Sequence, residues 1–191
     1  MAPCGNAGAW KTVSKPILEA SCDLTDWYNA TVPGTVLTTL VDQGIYPDPY
    51  IGLNNLQIPD THCRMNWWYR VKFDLPQGID KKEHAKLIFN GINYRAKIWL
   101  NGQLLGDING AFIRGNFDVT RLLKNKDNVL AVLIFPPNNP GIPHEANMEH
   151  FGPNGGALCL DGPTFVATEG WDWMPAMRDR SIGICLLCPS P

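Results

Sequence analysis

The sequence predicts an all-β chain, an antiparallel β-sandwich with one or two short helices, and three observations predict it. Residues 67–75 alternate side chains of two kinds with period two, and 94–100 repeat the pattern; that is the mark of strands with one buried face. Asn101-Gly102 follows the second run directly and is the strongest short hairpin signal. The 191 residues include 18 Gly, 16 Pro and 7 Trp, a content that suits strands joined by tight turns.

In chain order, Pro33 to Gln43 reads as one short helix, with Pro33 near its first turn and Gly44 placed to end it. In residues 67–75, Trp67, Tyr69, Val71, Phe73 and Leu75 share one face, and Trp68, Arg70, Lys72 and Asp74 share the other. This predicts a half-buried strand. Tyr94, Ala96, Ile98 and Leu100 point inward along the next run, and the return strand falls near 103–108. Asp118 to Lys124 form a further turn, with Asp118 as its cap. Residues 128–135, Asn-Val-Leu-Ala-Val-Leu-Ile-Phe, are apolar on both faces, as expected of a strand in a sandwich interior. Residues 136–169 are broken by Pro136, Pro137, Pro140, Pro143, Pro153, Gly155, Gly156, Gly162 and Pro163. Loops of this length are usually functional or linkers.

Composition narrows the functional classes. Hydrophobic residues make up 45% and charged residues 18% of the chain, so a packed domain rather than disorder is expected. The net charge is −2 and no basic run is present, which argues against a nucleic-acid partner. No apolar run approaches the roughly 20 residues that cross a bilayer, so no membrane partner is expected. No signal-peptide pattern is visible, and localisation is left undetermined.

The most informative stretch is residues 170–183, Gly-Trp-Asp-Trp-Met-Pro-Ala-Met-Arg-Asp-Arg-Ser-Ile-Gly. Trp171 and Trp173 offer flat apolar faces, and Asp172 offers an ionised acceptor for hydroxyl groups. A pyranose has the complements, an apolar C–H face and a rim of hydroxyls. From these residues alone two readings stay open: a ligand site, or a strand with core Trp and one salt-bridged Asp.

Several motifs stand in a fixed order around that stretch. They are Val32-Pro33-Gly34-Thr35-Val36, Asp48-Pro49-Tyr50-Ile51-Gly52-Leu53-Asn54-Asn55, Trp67-Trp68-Tyr69-Arg70, Ile98-Trp99-Leu100-Asn101-Gly102, Phe117-Asp118-Val119-Thr120, and Pro136-Pro137 with Pro140-Gly141. In this order they resemble the N-terminal sugar-binding domain of glycoside hydrolase family 2, over roughly residues 10 to 184. The Trp pair around Asp172 resembles most the β-mannosidase and exo-β-glucosaminidase branch. The resemblance implies a jelly-roll sandwich of the galactose-binding-domain-like type and a β-linked sugar of mannose, galactose or glucosamine type as ligand. It implies Asp172 as the main sugar contact, with Trp171 and Trp173 as the wall beside it. Asn54 and Asn55 are secondary candidates, equally readable as turn formers.

The resemblance also implies a catalytic TIM barrel downstream, with both catalytic Glu inside it and the acid usually in an Asn-Glu pair. A retaining glycosidase needs two carboxyls about 5–5.5 Å apart. This sequence has no Asn-Glu dipeptide, and its Glu are Glu19, Glu83, Glu145, Glu149 and Glu169. It has no Gly-x-Ser-x-Gly elbow and no phosphate loop. The expectation is therefore an N-terminal tail at 1–9, a sugar-binding β-sandwich at 10–184, an atypical tail at 185–191, and no catalytic residue within the chain. Where the family commonly continues into Trp and another strand, this sequence reads Cys185-Leu186-Leu187-Cys188-Pro189-Ser190-Pro191, and truncation is expected. The missing barrel of the same polypeptide is the expected protein partner.

No cofactor and no metal are expected. Cys185-x-x-Cys188 lacks the second pair that a zinc ribbon needs. Cys159 reads as a buried apolar thiol. His144, Glu149 and His150 are interrupted by Pro143 and Gly152 and read as loop residues. Arg178 and Arg180 are expected on one side of an extended segment, with Asp179 on the other and at least one Arg exposed. Three functions are consistent with the sequence: an accessory domain of a β-glycosidase, a free-standing carbohydrate-binding module, and a β-sandwich that binds protein rather than sugar.

Overall fold

A computed structural model describes residues 6–9, 15–75, 84–141 and 177–186, with side chains described for 17–75, 84–141 and 177–184. The strands are β1 (Asn6–Ala9), β2 (Tyr28–Asn29), β3 (Gly34–Thr35), β4 (Trp67–Phe73), β5 (Lys86–Phe89) and β6 (Gly91–Asn93). They continue with β7 (Arg95–Leu100), β8 (Gln103–Asn109), β9 (Gly115–Asp118), β10 (Asn128–Phe135) and β11 (Gly183–Leu186). The helix α1 spans Val36–Asp42. A six-stranded sheet runs β2-β1-β4-β10-β7-β8, a three-stranded sheet β3-β11-β6, and β5 pairs with β9. Every pairing is antiparallel. This is the expected all-β sandwich.

The main core lies between one face of the large sheet and the layer opposite. Trp67, Tyr69, Ala96, Ile98, Ile108, Val132 and Ile134 come from the large sheet, and Val36, Leu40, Phe89, Ile92, Ile182 and Ile184 face them. Ala96, Ile98 and Leu100 are buried as the alternation predicted, whereas Tyr94, expected with them, precedes β7 and is only half-buried, and β10 is buried on both faces along most of its length. Asn101 and Gly102 both have positive φ, 51° and 84°, as a type I′ turn requires.

Strand β4 departs from expectation. Trp67, Trp68, Tyr69 and Arg70 are all buried, and alternation with solvent begins only at Val71. The second face of β4 and β10 is covered by residues 17–27: Ile17 and Trp27 pack on Trp68, Ala131 and Leu133. Arg70 is buried there because its Nε donates to the Ile17 carbonyl at 3.1 Å and its Nη2 to the Glu19 carbonyl at 2.7 Å. Residues 6–9, expected within a tail, instead form β1, which pairs with both β2 and β4.

The helix starts later than predicted. Pro33 follows a cis peptide bond and precedes the helix, and Thr35 is the N-cap, its hydroxyl accepting from the Thr38 N–H at 3.1 Å. The C-terminus closes as a Schellman turn: Ile45 N–H donates to the Leu40 carbonyl and Gly44 N–H to that of Val41, with Gly44 at φ 70°. Residues 120–122 form the turn expected within 118–124, and Asp118, the last residue of β9, caps it, accepting from the Thr120 N–H at 3.0 Å and hydroxyl at 2.6 Å.

Gly183 marks the closest backbone approach between β11 and β3. A Cβ there would lie 2.6 Å from Thr35 Cα and press on the Gly34 carbonyl. Backbone cannot move aside as a side-chain tip can. Gly183→Ala is expected to destabilise the fold by about 2 kcal/mol or more, measured as a lowered urea midpoint at unchanged m-value.

Candidate functional site

The strand ends sort the loops into two poles. Trp67 opens β4 beside Ile134 near the end of β10, and Arg95 opens β7 beside Phe135. This pole carries the loop 43–66, the chain at 136–141, the loop 110–114 and the turn 177–182. Trp171, Asp172 and Trp173 lie outside the described residues, as do Cys159, His144, Glu149 and His150. The described chain resumes at Met177.

Arg178, Asp179 and Arg180 form a turn, with φ values of 53° at Arg180 and 57° at Ser181, rather than an extended segment. All three side chains are buried, at 3%, 1% and 2% exposure. The expectation of an exposed Arg is thus corrected, and the reason is local supply of acceptors. Arg178 Nε donates to the Asn55 carbonyl at 3.1 Å. Arg180 donates from Nε to the Pro140 carbonyl at 2.6 Å, from Nη1 to that of Met177 at 2.9 Å, and from Nη2 to Asp60 Oδ1 at 2.8 Å. Asp179 accepts from Leu37 N–H at 2.7 Å and Ser181 N–H at 2.9 Å. Burial pushes its carboxyl above the ordinary range, and its bonds to Leu37, Thr35 and Ser181 pull it back. Asn93 Nδ2 ties the turn to β6, donating to the Arg180 and Ser181 carbonyls at 3.2 and 2.8 Å.

Asn54 and Asn55 open the 3-10 turn Asn54–Gln57. Asn54 Nδ2 donates to the Asp48 carbonyl at 2.9 Å and holds the loop closed; its turn-forming role is therefore seen directly. Asn55 meets the segment from the Trp residues through its carbonyl and Arg178. The residues that sequence reasoning missed are Asp60, Arg64 and Asn93. The Asp60–Arg64 spacing of four was the only local signal, and these two do pair, at 3.3 Å.

The same loop seats His62 between Tyr46 and Trp67, with ring centroids 5.4 and 5.6 Å away. Its Nε2 lies 3.1 Å from the Tyr46 hydroxyl, and its buried Nδ1 has no hydrogen-bond partner among the described residues. Among the described residues no cluster of three His, Cys, Asp or Glu gathers to hold a metal. An open depression of about 440 Å³ lies at the opposite pole, lined by residues including Glu19, Lys124 and Asp127. It offers no aromatic face for a sugar ring.

Burial lowers the His62 pKa below its ordinary 6.5. The folded state therefore binds fewer protons than the unfolded one, so stability is full above pH 6.5 and is lost as pH falls below it. The slope should approach about 1.4 kcal/mol per pH unit at most, one proton's worth. Urea unfolding of wild type and His62→Asn across pH 5 to 7.5 checks this: the variant should lose the slope.

Comparison with known proteins agrees with this architecture. The family profile described as "Glycosyl hydrolase 2 galactose-binding domain-like" matches residues 10–185. A mannosylglycoprotein endo-β-mannosidase of Lilium longiflorum is 40% identical over 167 residues, covering 83% of this chain and 16% of that protein. An exo-β-D-glucosaminidase of Streptomyces avermitilis is 31% identical over 176 residues, covering 90% of this chain and 16% of that one. The crystal structure of the β-D-mannosidase from Dictyoglomus thermophilum superposes with a TM-score of 0.63 at 28% identity, covering 95% of this chain and 21% of that one. The chain thus spans about a sixth of the length of these curated relatives. It belongs to the galactose-binding-like domain family of glycosyl hydrolase 2, and its relatives there are β-mannosidases and exo-β-glucosaminidases.

Proposed function

We propose that this chain is the accessory sugar-binding domain of a retaining β-glycoside hydrolase and supplies one wall of the subsite for the non-reducing-end sugar. The observation that carries the reading is the family match over residues 10–185, which encloses the Trp171-Asp172-Trp173 segment. In this reading Asp172 accepts from sugar hydroxyls, Trp171 and Trp173 flank the ring, and Asn54 or Asn55 contributes from the neighbouring loop. The Arg178–Asn55 bond, six residues after Asp172, supports that neighbourhood. The sugar class is β-linked mannose, galactose or glucosamine type, in keeping with the names of the mannosidase and glucosaminidase relatives.

The acid and nucleophile belong, in this reading, to a catalytic barrel outside residues 10–185. Loop surface at the same pole supports a protein neighbour: Leu53 and Phe112 are 74% and 82% exposed, with Tyr50, Ile51 and Ile113 also exposed. Apolar side chains gathered on loops in this way mark contact surfaces.

Two outcomes follow. A carboxylate that accepts from hydroxyls makes bonds worth roughly 1.5–3 kcal/mol each. In an enzyme that carries this domain ahead of its catalytic barrel, Asp172→Ala should lower kcat/KM more than tenfold. An unchanged kcat/KM would remove Asp172 from the site. The 191-residue chain alone should release no nitrophenol from the nitrophenyl β-mannoside, β-galactoside or β-glucosaminide, since one open wall encloses little of a ligand and the acid–nucleophile pair is elsewhere. Release that survives repurification would place catalysis within this chain.

A further inference from the structure

Gly141 and Met177 bracket residues 142–176. Both ends meet on one side chain. Arg180 donates from Nε to the Pro140 carbonyl at 2.6 Å and from Nη2 to that of Gly141 at 3.5 Å; from Nη1 it donates to the Met177 carbonyl at 2.9 Å. Asp60 orients the guanidinium through Oδ1 at 2.8 Å. Its other oxygen holds Arg64 at 3.3 Å, and Arg64 Nη2 donates to the same Gly141 carbonyl at 3.0 Å.

Only Arg fits this role. Its planar fork presents donors in several fixed directions at once, and every nitrogen of Arg180 is committed to a different acceptor. A lysine ammonium is one point and cannot span both chain ends. The backbone at Arg180 sits in the left-handed region at φ 53°, which disfavours a side chain with a Cβ. The side chain is 1% exposed, so it has no route to solvent or to a ligand. Its function is internal.

We propose that Arg180 is a positioning residue: it fastens Pro140–Gly141 and Met177, which bracket residues 142–176, to each other and to Asp60, and so fixes where the Asp172 segment is presented. The second half of this statement rests on the sugar-wall reading above; the fastening of the ends does not.

The test is hydrogen–deuterium exchange, resolved by peptide, on the 191-residue chain. In Arg180→Met, amides within 142–176 should exchange at least tenfold faster, while β4 and β10 change less than twofold. Asp60→Asn, which keeps the carbonyl contacts of Arg180 but weakens its anchor, should give the same pattern at threefold or more, and it decides the matter if Arg180→Met does not fold. Arg180→Lys should resemble Arg180→Met. Equal acceleration of β4, β10 and 142–176 would reduce Arg180 to a general stabiliser and overturn the proposal. So would unaltered exchange in 142–176, including exchange already at the unprotected rate in wild type. The link to sugar is read separately in an enzyme carrying the domain. There Arg180→Lys should lower kcat/KM at least fivefold, and combined with Asp172→Ala it should lower it no further than Asp172→Ala alone. Additive losses would overturn the positioning role. A null effect of Asp172→Ala itself, with the exchange pattern intact, would remove the sugar-wall reading and leave the fastening standing.

Discussion

The 43–66 loop, the chain at 136–141 and the first turn of α1 are all tied to three consecutive buried charged side chains, Arg178, Asp179 and Arg180. A buried charge costs several kcal/mol unless its hydrogen bonds are met in place. Each of the three therefore draws a distant segment onto the turn. Asp179 fixes the first turn of α1 through Leu37, Arg178 fixes the Asn54–Gln57 turn, and Arg180 fixes the Asp60–Arg64 turn together with Pro140. Asn93 ties the whole to β6. The turn acts as a hub because its own carbonyls and charges have no solvent to fall back on. Such a hub does little to favour folding over an apolar core of equal volume, but it makes every alternative placement of these loops costly.

The large sheet carries a related constraint. Two strands at its centre, β4 and β10, are buried on both faces, and the outer cover is an irregular segment rather than a second sheet. Irregular backbone leaves carbonyls without ladder partners, and buried carbonyls need donors. Arg70 supplies them to Ile17 and Glu19. Desolvation lowers its pKa below the ordinary arginine value. The guanidinium is held there by the Ile17 and Glu19 carbonyls, so this residue fastens the cover to β4.

How much of this was legible in the sequence depends on range. Alternation with period two is a local property, so β7 and the Asn101-Gly102 turn were readable from a few residues, as was the doubly apolar β10. The burial of Arg70 was not, because the cover it serves lies some fifty positions upstream and has no strand pattern of its own. Residues 6–9, Asn-Ala-Gly-Ala, have poor strand propensity and become a strand because β4 offers an open edge. The Arg178–Arg180 turn was misread for the same reason at greater range. Its partners Leu37, Asn55 and Asp60 stand more than a hundred residues away, so period-two reasoning saw only an extended polar run. For the site, Asn54 was legible as a loop former, and the grouping of Asp60, Arg64 and Arg180 was not.

The two poles of the sandwich differ in how their polar groups are satisfied, and that difference argues for where function lies. At the far pole the described turns at 101–102 and 118–128 are closed by their own side chains. Asn101 bonds Leu122, Asn128 and Val129, and Asn128 bonds both ends of Lys124. Asp118 bonds Thr120, and Lys72 pairs with Asp127. At the site pole the buried Arg178, Asp179, Arg180 and Asn93 side chains are met within the fold and His62 Nδ1 is not met among the described residues, and the loop tips expose Tyr50, Leu53 and Phe112. A rigid polar base beneath apolar tips is the arrangement expected where a surface must hold its position while it meets something else. The base can be that rigid only because the arginines within it are spent on main-chain carbonyls and on Asp60. A guanidinium left free for a ligand could not also hold the loops, so the sugar chemistry proposed here falls to Asp172 and its Trp neighbours rather than to the nearby arginines.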